Sequence, residues 1–478
     1  MKIPENIPAF AIVGHPNEGK SSVVSTLAEN DRIRISSTPG ETLVCETFPV
    51  IIDDSEIIRF IDTPGFQNPR KTLHWIKANE DQNDRIIQAF IDSHAGDPDM
   101  TQDCELLAPI AQGAGIIYVV DGSRPLRNVD KAEMEILRLS GAPRMAIINL
   151  KEDETEYLSQ WKMAFRRHFN AIRVFNAHHA TYSERISLLE SLKGIDQDWI
   201  NPLSIVISAF KKDWIHRNAM TAEIILMMLS KSLDFSISKN YTEETDEESI
   251  KLRMFDKYTR AIKEIETAAY QRIRKLYKHN IFNFDLPPQS IVHQDLFNEK
   301  TWQVLGLTRK QLATLAAITG GTIGAVIDIA ATGLTFGVFT AIGGAMGAGW
   351  AILGGRQFAK TKVAGIDLGG QQIRVGPIEN IQFLYIMIDR ALIFYSHIIN
   401  WAHGRRDVPG SVEAVYDQSG KAGYTTTWNI SAQRKCMAFF KAIRKGDTIR
   451  KEKADRDLKV LIQDELKKMY SDGGTMGQ

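Results

Sequence analysis

Five short apolar runs mark the first 180 residues, and each stops on a small or polar residue. Phe10-Ala11-Ile12-Val13 stops at Gly14, Ile57–Ile61 at Asp62, Gly115–Val120 at Asp121, Met145–Ile148 at Asn149, and Ile172–Phe175 at Asn176. Continuous apolar runs of this length predict strands buried on both faces. Between them lie stretches of helical spacing, such as Leu73–Ile76 and Arg85–Ile91. Strands alternating with helices predict a mostly parallel sheet with helices on both faces, an α/β fold. In such a sheet the polar stops gather at the carboxyl ends of the strands, where ligands bind.

Past residue 200 the period lengthens. Ile224–Leu229 is apolar, Glu243–Glu248 is an acidic connector, and Ser249–His279 carries Ile250, Leu252, Phe255, Tyr258, Ile262, Ile265 and Tyr270 at helical spacing. Ile378–Trp401 reads as a buried helix, with Asp389-Arg390 at its middle. Residues 434–468 hold twelve Lys/Arg against six Asp/Glu on a helical pattern, which reads as an exposed charged helix, with contact to anionic lipid or nucleic acid as the alternative. Residues 313–355 differ from all of these. Asp328 is their only ionisable residue and eleven of the forty-three are glycine. Gly320-xxx-Gly324, Gly333-xxx-Gly337 and Gly343-xxx-Gly347 repeat the spacing that lets helices approach closely. Two legs are expected, Leu312–Ile327 and Gly333–Leu353, with Arg309, Lys310, Arg356, Lys360 and Lys362 flanking them. Basic flanks at both ends fit a hairpin inserted from the cytoplasmic side of a membrane. A glycine-zipped hairpin buried in the protein's own core is the alternative. The expected organisation is 1–200, an α/β domain; 201–311, helical; 312–356, the hairpin; and 357–478, mainly helical.

The most specific chemistry sits at the first strand's end. Gly14-His15-Pro16-Asn17-Glu18-Gly19-Lys20-Ser21 spells GxxxxGKS between an apolar run and a helix opening at Ser22. Strand, glycine loop and helix N-terminus form an anion cradle from unpaired N–H groups and the positive helix end. Lys20 would reach the outer phosphates and the Ser21 hydroxyl would hold Mg²⁺. The fold class is therefore an α/β P-loop NTPase. Asp62-Thr63-Pro64-Gly65 places a carboxylate near a metal-bound water and a glycine N–H near a γ-phosphate. Ser37–Thr42 has the composition of a switch loop. His94, Asp97, Asp99 and Asp103 match no ligand spacing and read as a solvated loop. His178-His179 reads as packing or base-edge contact rather than zinc.

Residues 10–195 resemble GTPases of the Era-like and tRNA-modification group, through GHPNEGKSS at 14–22, PGET at 39–42 and DTPG at 62–65. The resemblance implies GTP/GDP and Mg²⁺ as ligands. It implies Lys20, Thr42 and Gly65 as the hydrolytic residues, and Ser21, Thr42 and Asp62 around the metal. Asn17, Glu18, Gly19, Lys20, Ser21, Ser22, Asp62, Gly65, Asn149, Lys151 and Ala177 would hold the nucleotide. Asn149 would face guanine, and Ala177 would offer its N–H to the base carbonyl. Two departures stand out. The group's NKxD motif is Asn149-Leu150-Lys151-Glu152 here, followed by Asp153, which leaves ATP or mixed specificity open. Phe66 follows Gly65 where Ras-like proteins carry a water-positioning glutamine, and Gln67 is one position off, so intrinsic hydrolysis is expected to be slow. Asn17 has two readings, a potassium ligand that substitutes for an arginine finger or a stabiliser of the loop turn. The whole layout, with Asp295–Gln303 ahead of the glycine-rich stretch, resembles bacterial GTPases carrying a C-terminal domain of unknown function.

Composition narrows the setting. Length 478 implies several domains, and equal totals of 58 basic and 58 acidic residues exclude a global field for nucleic acid or lipid. Cys45, Cys104 and Cys436 form no CxxC pair, which fits a reducing cytosol. The N-terminus lacks a secretory signal pattern. The expected location is the cytoplasm, peripheral to or hairpin-inserted at the inner face of the cytoplasmic membrane. Expected partners are a guanine nucleotide, a membrane or integral membrane protein, and a second copy in a nucleotide-dependent way. Nucleic acid is not expected, because no RNA-binding signature accompanies the basic helix. A soluble regulator acting on a protein partner is the alternative.

Overall fold

The computed structural model describes residues 7–15, 18–28, 44–52, 55–80, 85–150, 156–175, 182–241, 247–277, 290–297, 299–308, 311–312, 314, 362–363, 366–367, 371–399, 423–445 and 448–472. In chain order the first half runs β1 Ala9–Val13, α1 Lys20–Ala28, β2 Glu46–Ile52, β3 Ser55–Asp62, α2 Pro69–Asn79, α3 Ile86–Ser93, α4 Thr101–Ala111, β4 Gly115–Asp121, α5 Asn128–Leu139, β5 Arg144–Asn149, α6 Leu158–Phe165 and β6 Ala171–Phe175. The strands form one sheet of order β2-β3-β1-β4-β5-β6. Only β2 is antiparallel, against β3; the other pairings are parallel. Each predicted apolar run is a strand of this sheet.

Successive residues of a strand face opposite sides, so each buried strand feeds two cores. Phe10, Ile12, Ile117 and Val119 join the core on one face, while Ala11, Val13, Ile116, Tyr118 and Val120 join the other. The second face is covered by α2–α6 through Ile76, Phe90, Leu107, Leu137 and Trp161. The first is covered by α1, by α7 Tyr182–Lys193 and by the start of α8 Gln197–Asp234. Trp199 of α8 lies edge-on to Phe10 at 4.7 Å between ring centroids. It enters where Gly115 lacks a side chain; a Cβ there would collide with the indole.

The helix α8 has 38 residues, about 57 Å at 1.5 Å per residue. It passes through position 200, the expected domain boundary, and continues into the helical half. There follow β7 Ile237–Tyr241, α9 Glu247–Leu276, α10 Glu299–Val304, β8 Lys362–Val363, β9 Ile366–Asp367, β10 Gln371–Val375, α11 Ile381–Ile399, α12 Ile430–Lys445 and α13 Thr448–Asp472. The β7–β10 ribbon is antiparallel and was not visible in the sequence pattern. The core of the first sheet face continues without a break through α8, α9 and α11 to Leu466 of α13. The expected hairpin at 312–356 lies outside the described residues, apart from Leu312, which is buried in the core, and Thr314. Among the described residues no helix is long and apolar enough to cross a membrane.

The expected buried helix is α11, and its central charges are both satisfied. Arg390 donates from Nε to Glu266 Oε1 (2.6 Å) and from Nη2 to Glu266 Oε2 (2.9 Å), and also to the carbonyls of Ile291, Val292 and Gln294. Asp389 accepts from the Gly306 amide, the Thr425 amide and the Thr425 hydroxyl. A buried pair broken on one side leaves an uncompensated charge. Arg390→Met should therefore lower unfolding stability by about 3–5 kcal/mol, measured by urea titration. An unchanged midpoint would show that the pair holds nothing together.

Candidate functional site

Gly14, Glu18 and Gly19, from the segment between β1 and α1, lie against the carboxyl ends of β4 and β5. Two glycines make that approach feasible. Gly14 has φ +152° and any Cβ would strike the Val119 carbonyl; Gly19 has φ +93° and a Cβ would strike the Asn149 amide. At the first turn of α1, Lys20 is buried and donates from Nζ to the His15 carbonyl at 3.1 Å. Burial holds its ammonium below the ordinary value, opposed by Asp62, Glu133 and Glu18. It is a buried side chain whose desolvation the surrounding carboxylates partly offset.

Ser21 Oγ donates to Asp62 Oδ2 at 2.7 Å, which brings two predicted metal residues together from α1 and the end of β3. Asp62 is buried, and its Oδ1 has no hydrogen-bond partner among the described residues. Burial raises its carboxyl, an effect reduced by the Ser21 hydroxyl and by Lys20. A hydroxyl beside an under-coordinated buried carboxylate is a hard oxygen donor set that fits Mg²⁺. Ser22 and Gly65 are buried close by in sequence, in α1 and after β3. Thr63 ties this segment back, donating from Oγ1 to the Ile12 carbonyl at 2.7 Å.

On the base side, Asn149 is fully buried at the end of β5 and donates from Nδ2 to the Glu18 carbonyl at 3.1 Å. The Glu18 side chain is the site's least expected feature. It is buried, accepts from the Asp121 amide, and pairs with Arg124. Arg124 also donates to both oxygens of Asp130 and lies over the Trp161 ring at 5.1 Å from the centroid. Asp130 in turn accepts from the Arg127 amide at the start of α5. Similarly, His15 Nδ1 lies 3.1 Å from Glu133 Oε1, whose other oxygen accepts from Tyr118. Of these clasps only Glu18 was a site candidate by sequence. Arg124 carried one visible signal, its place three residues past the polar stop of β4.

Asn17, Thr42, Lys151, Ala177 and the switch stretch 37–41 lie outside the described residues, as do Glu152, Asp153 and His178-His179. Phe66 is buried in the core of the second sheet face, and Gln67 beside it is exposed. Asp103 corrects an expectation. Instead of lying in a solvated loop it is fully buried in α4, accepting from Gln67, Asn68 and Thr72. Asp97 and Asp99 do sit in the turn before α4, and His94 bonds back to Phe90 at the end of α3.

Comparison with known proteins matches residues 9–150 to the family described as 50S ribosome-binding GTPase. Residues 162–468, more than half of the chain, match the family described as domain of unknown function DUF3482. The chain belongs to the DUF3482 family. Its N-terminal unit has the α/β P-loop GTPase fold. GTPase Der of Hamiltonella defensa subsp. Acyrthosiphon pisum is 33% identical over 129 residues, 25% of each chain. The probable GTP-binding protein EngB of Bordetella pertussis is 26% identical over 205 residues, 42% of this chain and 88% of the relative. The chain thus spans only a quarter of the length of that Der relative. Among solved structures, Era of Aquifex aeolicus bound to GDP and AlF4⁻ aligns at 17% identity with a TM-score of 0.25, covering 57% of this chain and 90% of that one.

Burial holds the Glu18 carboxyl above its ordinary 4.5, and Arg124 opposes that effect. Removing Arg124 lifts the carboxyl further and makes its ionised form the costly one. Stability from this group is then fully present below 4.5 and lost as pH rises through the raised value. Arg124→Ala should lose about 2 kcal/mol near neutral pH and recover part of it toward pH 5 in urea unfolding. A gap from the parent protein that is equal at both pH values would count against the clasp.

Proposed function

We propose that this DUF3482 protein is a GTP-binding and GTP-hydrolysing switch. The observation that carries the reading is the Ser21–Asp62 pair beside the loop-enclosed Lys20, at the carboxyl edge of a parallel sheet. Lys20 and the loop amides would hold the phosphates, with Ser21, Thr42 and Asp62 arranged around Mg²⁺. Bound Mg²⁺ would supply neutralisation of charge on the outer phosphates. Asn149, joined to the phosphate loop through Glu18, supports guanine on the base side, with Lys151 and Ala177 completing that reading. The Gly65 amide would face the γ-phosphate. Phe66 has no polar group with which to orient water and is turned into the core, which supports a slow intrinsic rate. Asn17 as a potassium ligand would compensate for that missing group.

Fluorescent GTP and GDP analogues should bind the full chain, with GTP favoured over ATP by about tenfold or more. Lys20→Ala should weaken GDP binding by about tenfold to a hundredfold. Replacing Na⁺ by K⁺ should speed hydrolysis by about tenfold or more if Asn17 holds the ion; equal rates would remove that role. ATP binding equal to GTP would remove the guanine assignment.

The output of the switch is proposed to be a membrane or an integral membrane protein, engaged through residues 313–355. Support comes from their single ionisable residue, their eleven glycines and the basic residues flanking both ends. Nucleotide-dependent pairing of two copies is compatible with this output, and nucleic acid is not required by it. Deletion of 313–355 should move the protein from the membrane to the soluble fraction of lysed cells. Equal distribution of the two forms would favour a soluble switch with the hairpin internal.

A further inference from the structure

The first turn of α4 holds the chain on both sides of the metal residues. Asp103 Oδ1 accepts from the Gln67 amide at 2.7 Å, and Oδ2 accepts from the Asn68 amide at 3.2 Å and the Thr72 hydroxyl at 2.7 Å. Asn68 is further tied through its Nδ2 to the Asp99 carbonyl at 2.7 Å. Two residues on, Glu105 Oε1 accepts from the Cys45 amide at 2.9 Å, three positions past Thr42. The Cys45 thiol donates to the Glu105 carbonyl at 3.2 Å. One helical turn thus anchors the chain emerging from the switch stretch and the chain leaving the DTPG segment.

Gly65 is suspended between fixed points. Thr63 is bonded to β1 on its upstream side, and Phe66 is packed in the core on its downstream side. Immediately beyond, Asp103 fixes the amides of Gln67 and Asn68. With no hydrogen-bonding side chain at position 66, stabilisation of a γ-phosphate from this segment falls on the backbone. A backbone donor contributes most when it is held in place before reaction, because no reorganisation is then needed. We propose that Asp103 is a positioning residue that sets the Gly65 amide for phosphate hydrolysis, acting from α4 through Gln67 and Asn68. The proposal rests on the GTPase reading above.

The test uses the full chain and measures GTP turnover, GDP affinity and thermal unfolding for the parent, Asp103→Ala and Asp103→Asn. Asp103→Ala should lower kcat by about tenfold or more while GDP affinity stays within about twofold. Asp103→Asn should recover part of the rate, because its carbonyl still accepts from the Gln67 amide and its amide can donate to Thr72 Oγ1, while the Asn68 amide loses its acceptor at Oδ2. A kcat within about twofold of the parent for Asp103→Ala would overturn the proposal, as would parallel losses of kcat, GDP affinity and thermal stability. Failure of the parent itself to bind or turn over GTP would instead withdraw the GTPase reading, and the proposal with it. A readout on the unsubstituted chain covers the case in which Asp103→Ala does not fold. Hydrogen exchange of the 66–72 peptide should be slow with both GDP and a non-hydrolysable GTP analogue. Exchange at the rate of an open loop with the GTP analogue would overturn the proposal.

Discussion

The constraint on which the site depends is steric. A phosphate-sized cradle requires its backbone to run against strand ends with no side chain in between. Gly14 meets the Val119 carbonyl and Gly19 meets Asn149, both in backbone conformations that other residues rarely adopt. Once the loop lies that close, Asn149 can reach the Glu18 carbonyl, and the Glu18 side chain can reach Asp121 and Arg124. The loop is then bonded to the ends of β4 and β5 and, through Arg124, to Asp130 at the start of α5. Lys20 tolerates burial here because three carboxylates oppose its desolvation. Preorganisation of the site is a property of this clasp as much as of the motif itself.

What was legible in the sequence was local. The runs at Phe10–Val13 and Gly115–Val120 show continuous apolar character because both faces of those strands are buried, and their short length and polar stops predict them. The GKS loop is a contiguous motif, so Lys20 and Ser21 were found, and Asp62 followed from a strand ending in DTPG. Partners distant in sequence carry no such signal. Arg124 meets Glu18 across 106 positions and Arg390 meets Glu266 across 124. Asp103 follows a polar turn, a setting that implies solvent; only the hydrogen bond from Thr72 of α2 reveals what its carboxylate accepts. The β7–β10 ribbon has the same cause, because strand pairing between segments so far apart depends on the tertiary fold.

The two halves of the chain share a core. The sheet face bearing Phe10 and Ile12 is covered by α8, and the same hydrophobic cluster reaches α11 and α13. The helical half is thus a covering layer of the nucleotide-binding sheet and is itself centred on the buried α11. Asp389 and Arg390 supply the polar specificity at that centre by fixing Thr425, Gly306 and the 291–294 carbonyls around one helix.

The position of Trp199 has a consequence for synthesis. Chains emerge from the ribosome N-terminus first, and domains generally fold as units in that order. Here Phe10 leaves early, while the indole that covers it follows 189 residues later at the start of α8. Until then that side of the nascent sheet has only α1 and α7 to cover it, and the glycine gap at Gly115 stays open. The strip of sheet between Phe10 and Gly115 is therefore the last part of this face to be covered, and the start of α8 covers it.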